Sequence, residues 1–306
     1  MKKKIVISGG NSFIGKNVIK LIDRDRYDIT VLTRKTDKSK NDFEDIKYIE
    51  ADMEDYKNID QMIKSCHIYL PFAWEGTKRE ERNDEIKNEK SYHCILKSIE
   101  LLLTKCGCEK VILPGTFSEY KNDHVPLDEK TPCESSLAYG RYKNELYKAA
   151  YKLCEREKAA LIEIRLFSVF GTGDSEEKML DNMLMKMIRN EDISLTPGEQ
   201  IWDFVHVKDV AAAFLYFMEN DAKMGCYNVA TNDHRTLRSY LDEVKDITRS
   251  KSKLNYGEIP YENGEVPHVI CRTDKILNET NWRPVIEFQD GVREMSDYYR
   301  RKIRKL

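Results

Sequence analysis

The sequence predicts an α/β fold: a doubly wound parallel sheet followed by a smaller C-terminal lobe. Three observations predict it. Short β-branched apolar runs alternate with longer segments of helical periodicity through the first half of the chain. The first run, "KKIVISGG", ends in glycines and passes directly into a helical pattern. The runs are continuously apolar, which suits strands buried on both faces.

The elements follow in order. After "KKIVISGG", Ile14, Val18, Leu21 and Ile22 recur at helical spacing and predict a helix from about Phe13 to Arg24. "YDITVLTR" and "IKYIEAD" are the second and third strands, followed by a helix around Ile59 to Ser65. "HIYLPFAW" is the fourth strand. A long helix runs from about Asp84 to Lys105, and "KVILPGT" is the fifth strand. A helix carrying Tyr139 leads into "ALIEIRLFSVFG", read as one sixth strand. Beyond Gly171 the alternation stops. "EEKMLDNMLMKMIRN" reads as a Met-rich helix, and "ISLTPGEQIWDFVHVKDVAAAFLYFMEN" as a strand, a link and a helix starting near Val207. "CYNVAT" is a strand, "TLRSYLDEVKDIT" a helix, and a last helix starts at about Gly291. The expected division is a nucleotide-binding domain over 1–166 plus 200–231 and a substrate lobe over 167–199 plus 232–306.

A chain of 306 residues buries a large core. A net charge of −2, with Lys and Arg scattered among Asp and Glu, argues against a nucleic-acid surface. The basic start precedes only Ile5-Val6-Ile7, too short for a signal peptide, and no stretch reaches membrane-spanning length. The eight cysteines form no C-x-x-C pair, so no metal site is expected and reduced thiols in a cytoplasmic protein are the simplest account.

"GGNSFIG" lies where a dinucleotide loop must lie, between the first strand and the first helix. There, main-chain N–H groups cradle a pyrophosphate, as in a Rossmann-type domain. Gly9 permits the tight turn and Gly15 close helix–strand packing. Ser12 stands where glycine is usual and is small enough to be tolerated. An acidic residue closing the second strand would bond the ribose hydroxyls of NAD. This chain has Leu32-Thr33-Arg34-Lys35 instead. A guanidinium suits a 2′-phosphate, so NADP(H) is favoured, through Arg34, with NAD(H) the alternative. Asp52 is expected at the adenine edge, with Met53 packing on the ring.

Tyr139 and Lys143 stand four apart on one helical face. A free phenol titrates at about 10, and lowering that by roughly 3 units takes about 4 kcal/mol, which an adjacent ammonium helps to supply. Alone, the spacing also fits an ordinary surface pair.

Together, "SGGNSFIG", "ADMED", "LPFAWEG", "PGTFSEY", "YGRYK", "RLFSVFG", "WDFVHVKDVAAAF" and "NWRP" give the chain a resemblance, over nearly its whole length, to extended short-chain dehydrogenases/reductases of the NAD-dependent epimerase/dehydratase family. The resemblance implies a Rossmann domain with a substrate lobe, action on nucleotide-diphosphate sugars, and a homodimer formed through the Asp84–Lys105 helix and the Tyr139 helix. It implies Thr116 as the third catalytic group beside Tyr139 and Lys143. It also implies cofactor contacts at Asn11, Phe13 and Ile14, at Pro71, Phe72 and Ala73, and at Phe167.

Phe117 and Ser118 follow Thr116 where the family's sugar dehydratases carry Asp-Glu, and neither does acid–base work at neutral pH. The wording of "FAWEG" and "GTFSEY" is also similar to deoxysugar-forming reductases of the CDP-abequose synthase type. The expectation is therefore an NADP(H)-dependent reductase of a nucleotide-linked 4-keto-deoxysugar. An epimerase or sugar dehydrogenase, and a non-catalytic NAD(P)-binding sensor, stay open. For substrate, Arg272 is the expected diphosphate ligand, since Trp202 replaces a frequent family arginine. Ser168 replaces a frequent asparagine, Trp74 and Tyr120 are expected at the sugar pocket, and His206 is expected to be structural.

Overall fold

The computed structural model describes residues 2–34, 43, 45–121, 126–261 and 268–304. Its N-terminal half is β1 (Lys3–Ser8), α1 (Phe13–Leu21), β2 (Tyr27–Thr33), β3 (Lys47–Glu50), α2 (Ile59–Met62), β4 (Ile68–Pro71), α3 (Glu85–Cys106), β5 (Lys110–Thr116), α4 (Ala138–Glu157) and β6 (Ala160–Leu166). The C-terminal half adds β7 (Ser168–Phe170), α5 (Met179–Ile188), β8 (Ile193–Leu195), β9 (Ile201–Trp202), β10 (Phe204–His206), α6 (Val207–Glu219) and β11 (Gly225–Val229). It closes with β12 (Arg235–Thr236), α7 (Leu237–Thr248), β13 (Leu254–Tyr256), α8 (Asp274–Glu279) and α9 (Phe288–Ile303).

The main sheet has seven strands in the order β11-β6-β5-β4-β1-β2-β3. Every pairing in it is parallel. The pleat sorts β1 between the two faces. Ile5 and Ile7 join Val18, Ile19 and Phe214 beneath α1 and α6. Val6 joins Ile95, Ile99 and Leu146 beneath α3 and α4. This is the expected double winding.

Two local readings change, the sixth strand and α8. The sixth strand is two strands. The chain leaves the sheet at Phe167, whose side chain packs with Leu127, Ala230 and Cys271. β7 then pairs with β10 outside the main sheet. "CYNVAT" supplies the sheet's far edge, β11 lying parallel to β6. α8 was not expected at all.

A third apolar cluster binds the late helices together: Leu184, Tyr240, Val292, Met295 and Tyr299 around Phe170 and Phe288. His206 is buried within this region and caps α6, its Nδ1 accepting the Lys208 N–H at 3.3 Å, while its buried Nε2 finds no hydrogen-bond partner among the described residues. Among the described residues no helix is long and apolar enough to cross a membrane.

Candidate active site

Parallel strands end along one edge, and in doubly wound sheets ligands bind outside that carboxyl edge. Ser8, Thr33, Pro71, Thr116 and Leu166 are the final residues of their strands.

The loop after β1 is built for close approach. Gly9 has φ +67°, and a Cβ there would stand 2.6 Å from the Ala73 nitrogen. A Cβ on Gly15 would meet the Gly9 carbonyl at 2.8 Å. Ser12 is more than a tolerated small residue: it caps α1, its Oγ accepting the Gly15 N–H at 3.1 Å. Asn11 donates to the Thr33 hydroxyl at 3.1 Å and ties the loop to β2. Phe13 and Ile14 open α1 and are half-buried. A side-chain-free cradle at a helix N-terminus fits a dinucleotide pyrophosphate.

Around that cradle, Phe72 and Ala73 both donate main-chain N–H groups to the Ser8 carbonyl, so the Pro71-Phe72-Ala73 segment leans on the loop. Arg34 is exposed at the end of β2, and Lys35 lies outside the described residues. Asp52 caps the 3-10 turn that follows β3 by accepting the Met53 N–H at 2.6 Å. Met53 lies deeper than Asp52. Its side chain is 5% exposed and packs with Tyr56 and Ile59.

Thr116, Tyr139 and Lys143 converge. Thr116 ends β5, and Tyr139 and Lys143 lie in the first two turns of α4. α4 closes tightly on the turn after β5, because a Cβ on Gly140 would fall 1.9 Å from the Ser118 carbonyl oxygen. Lys143 is 5% exposed and donates to the Pro114 carbonyl at 3.0 Å. Its ammonium also lies 4.1 Å from the centre of the Trp74 ring. Burial pushes the Lys143 ammonium down to about 8, against the pull of Glu119 and Glu163. Burial pushes the Tyr139 phenol up to about 12. Arg82 is the largest opposing influence, Glu119 adds to the rise, and a hydrogen bond with Thr116 eases it.

A buried ion network backs this group, and sequence reading missed it. Arg165 Nε donates to Glu163 at 2.9 Å and to Glu119 at 3.2 Å, with all three side chains nearly inaccessible. Glu119 also accepts the Thr116 N–H at 2.7 Å. Burial raises both carboxyls. Arg165 and Lys143 pull both down, and Glu119 pushes Glu163 further up. The signal was present in "LIEIRL": Glu163 and Arg165 share one face of a strand that is otherwise apolar.

The expected substrate residues scatter more. Trp74 lies 6.3 Å from Tyr139 between ring centres, its indole N–H donated to Asn88 at 2.9 Å. Tyr120 lies inside the protein. It is 3% exposed and gives its hydroxyl to Asn228 at 2.7 Å, so its polar end is consumed inside. Phe167 is buried and stacks on Phe117 at 5.6 Å, with the edge of Trp202 at 6.5 Å from Phe117. Ser168 opens β7, half-buried. Arg272 is exposed, held through its main chain to Leu127 and Asn228.

A seven-stranded Rossmann-type sheet with a glycine cradle at one strand end and a Thr, Tyr and Lys cluster at others defines a nucleotide-dependent oxidoreductase scaffold. Residues 5–230 match the model of the NAD dependent epimerase/dehydratase family, and the chain belongs to that family. It is 25% identical over 299 residues to CDP-abequose synthase of Salmonella muenchen, covering 96% of this chain and 97% of the relative. It is 22% identical over 315 residues to dTDP-4-dehydro-6-deoxyglucose reductase of Escherichia coli, covering 95% of this chain and 96% of the relative. Among solved structures, UDP-N-acetylglucosamine 4-epimerase from Methanobrevibacter ruminantium M1, in complex with UDP-N-acetylmuramic acid, superposes with a TM-score of 0.86 at 21% identity. That match covers 99% of this chain and all, 100%, of the other.

Proposed function

We propose that the protein is an NADP(H)-dependent reductase of a nucleotide-linked 4-keto-deoxysugar. The carrying observation is what surrounds Thr116. The position after it holds Phe117, stacked on Phe167, where an elimination needs a carboxylic acid. The nearby acid, Glu119, is taken up by the Thr116 N–H and Arg165, away from any proton-transfer task. What remains is the Thr, Tyr and Lys set that a carbonyl reduction requires. Two relatives, named as a synthase of CDP-abequose and as a reductase of a dTDP-4-dehydro-6-deoxysugar, support the same chemistry.

A reduced nicotinamide, when bound, would supply the hydride for the carbonyl carbon. Every other task falls to the chain. Gly9, Asn11, Ser12, Phe13 and Ile14 would hold the pyrophosphate, and Arg34 a 2′-phosphate, since Thr33 and Arg34, rather than an acidic residue, close β2. Thr116 donates to the substrate carbonyl and polarises it. Tyr139 gives the proton to the same oxygen. Lys143 holds the nicotinamide ribose and supplies positive charge beside the phenol. Arg272 is the proposed diphosphate ligand, Ser168 and Trp74 the sugar contacts, and a homodimer through α3 and α4 the assembly.

An epimerase is the second reading, favoured by the 4-epimerase among the structural neighbours. The test mixes purified protein with NADPH and a panel of nucleotide-linked 4-keto sugars and follows absorbance at 340 nm. Oxidation that Tyr139→Phe slows by several orders of magnitude, with NADPH binding kept, supports the reductase. Turnover of a nucleotide sugar without added cofactor, by protein that carries NAD through purification, points to the epimerase.

A further inference from the structure

Arg82 lies in the segment between β4 and α3, one charged residue in the charged run "TKREERNDE". Its place in the fold is less ordinary. Its main-chain carbonyl accepts the Tyr139 N–H at 2.8 Å, which fixes the segment to the start of α4. Its guanidinium carbon lies 5.9 Å from the centre of the Tyr139 ring. Its Nε is buried and has no hydrogen-bond partner. Among the described residues no carboxylate pairs with it, although Glu81 and Asp84 flank it. Those two acids take Lys87 instead.

Other groups also face Tyr139. Lys143, on the same helix, stands equally far, 5.9 Å from the ring centre. Its ammonium, however, is divided between the Pro114 carbonyl and the Trp74 face. Thr116 at the end of β5 offers a hydroxyl, and Glu119 just beyond it adds negative charge. Arg82 is thus the cation beside the ring with no other commitment. A guanidinium stays charged at every working pH and is weakly hydrated, so burial against an aromatic ring costs it less than an ammonium.

We propose that Arg82 is a positioning residue for Tyr139, a second fixed cation that favours the phenolate and so tunes the proton this tyrosine exchanges. The inference rests on reading Tyr139 as the proton-exchanging group. It adds a cation from the β4–α3 segment to the Tyr–Lys pair. The direction of Arg82's influence on the phenol agrees with the geometry.

The test needs neither substrate nor turnover, so its result is separable from the reductase assay. The full chain is labelled with 3-fluorotyrosine, whose phenol is more acidic than that of tyrosine, and titrated by 19F NMR without cofactor. The Tyr139 signal is identified by its loss in Tyr139→Phe. In Arg82→Gln the Tyr139 pKa should rise by about one unit, the order expected for a partly screened charge at this distance. Arg82→Lys should recover at least half of that. Arg82→Met, which keeps much of the aliphatic stem, repeats the measurement if the glutamine variant folds poorly. A purely structural Arg82 would lower the melting temperature in these variants and leave the Tyr139 titration where it was. That result overturns the proposal.

Discussion

Glu119 accepts the main-chain N–H of Thr116 at 2.7 Å, so the hydroxyl assigned to the substrate carbonyl is mounted on a buried acid. The same carboxylate takes Arg165 and holds up the Lys143 ammonium. Glu119→Gln removes one negative charge from behind Lys143. The Lys143 pKa then falls below about 8, and any activity that needs its charge is lost at a lower pH on the alkaline side. Breaking the buried pair with Arg165 also costs about 2–4 kcal/mol of stability. A pH–rate profile and urea denaturation of the same variant check the two effects.

Lys143 itself should be destabilising near neutrality. Burial lowers its pKa from 10.5 to about 8. Below the lower value both folded and unfolded chains carry the proton, and the folded chain bears the full cost of a buried charge. Between the two values the unfolded chain binds more protons, so stability recovers as pH rises. Lys143→Met should therefore be more stable than the parent by about 1–3 kcal/mol at pH 7 while losing activity. Melting temperatures recorded from pH 7 to pH 10.5 should converge. A variant less stable at pH 7 would contradict the assigned cost.

Gly140 sets the distance between α4 and Thr116. A methyl group there would overlap the Ser118 carbonyl, so Gly140→Ala forces a main-chain shift. The expected loss is at least about 2 kcal/mol of stability. In the protein that stays folded, kcat should fall more than NADPH affinity, because the shift moves Lys143 at the proposed ribose contact but leaves the Gly9 loop in place. Thermal melts, single-turnover rates and NADPH fluorescence read the three quantities.

Arg34 governs the proposed choice of cofactor. Arg34→Ala should weaken NADPH binding by about 10- to 100-fold, the worth of about 1.4–2.8 kcal/mol of charge-assisted contact, and leave NADH binding nearly unchanged. Equal losses for both cofactors would remove Arg34 from the 2′-phosphate site. Gly9→Ala should weaken both, because its Cβ would press on the Ala73 nitrogen whichever cofactor binds.

Much of this protein is written locally. The apolar runs and helical periodicities fix the strand and helix alternation, because burial on both faces demands it. "GGNSFIG" at the first strand–helix junction and Tyr139 with Lys143 one helical turn apart are local patterns too, and they pointed to the scaffold and to the proposed catalytic pair. The failures are non-local. "ALIEIRLFSVFG" read as one strand because nothing within it shows that Phe167 turns inward and β7 must pair with β10.

The sequence by itself determined the class of fold and the positions of the proposed phosphate cradle and of the Tyr139–Lys143 pair, since each depends on residues close in the chain or on a repeating pattern, while Thr116 entered through the family resemblance. Only the tertiary structure decided what electrostatic setting those three groups have. Arg82, Glu163 and Arg165 reach the site from segments far from it in sequence, Glu119 from the turn that Thr116 opens, and charge acts through space over a few ångströms irrespective of chain position.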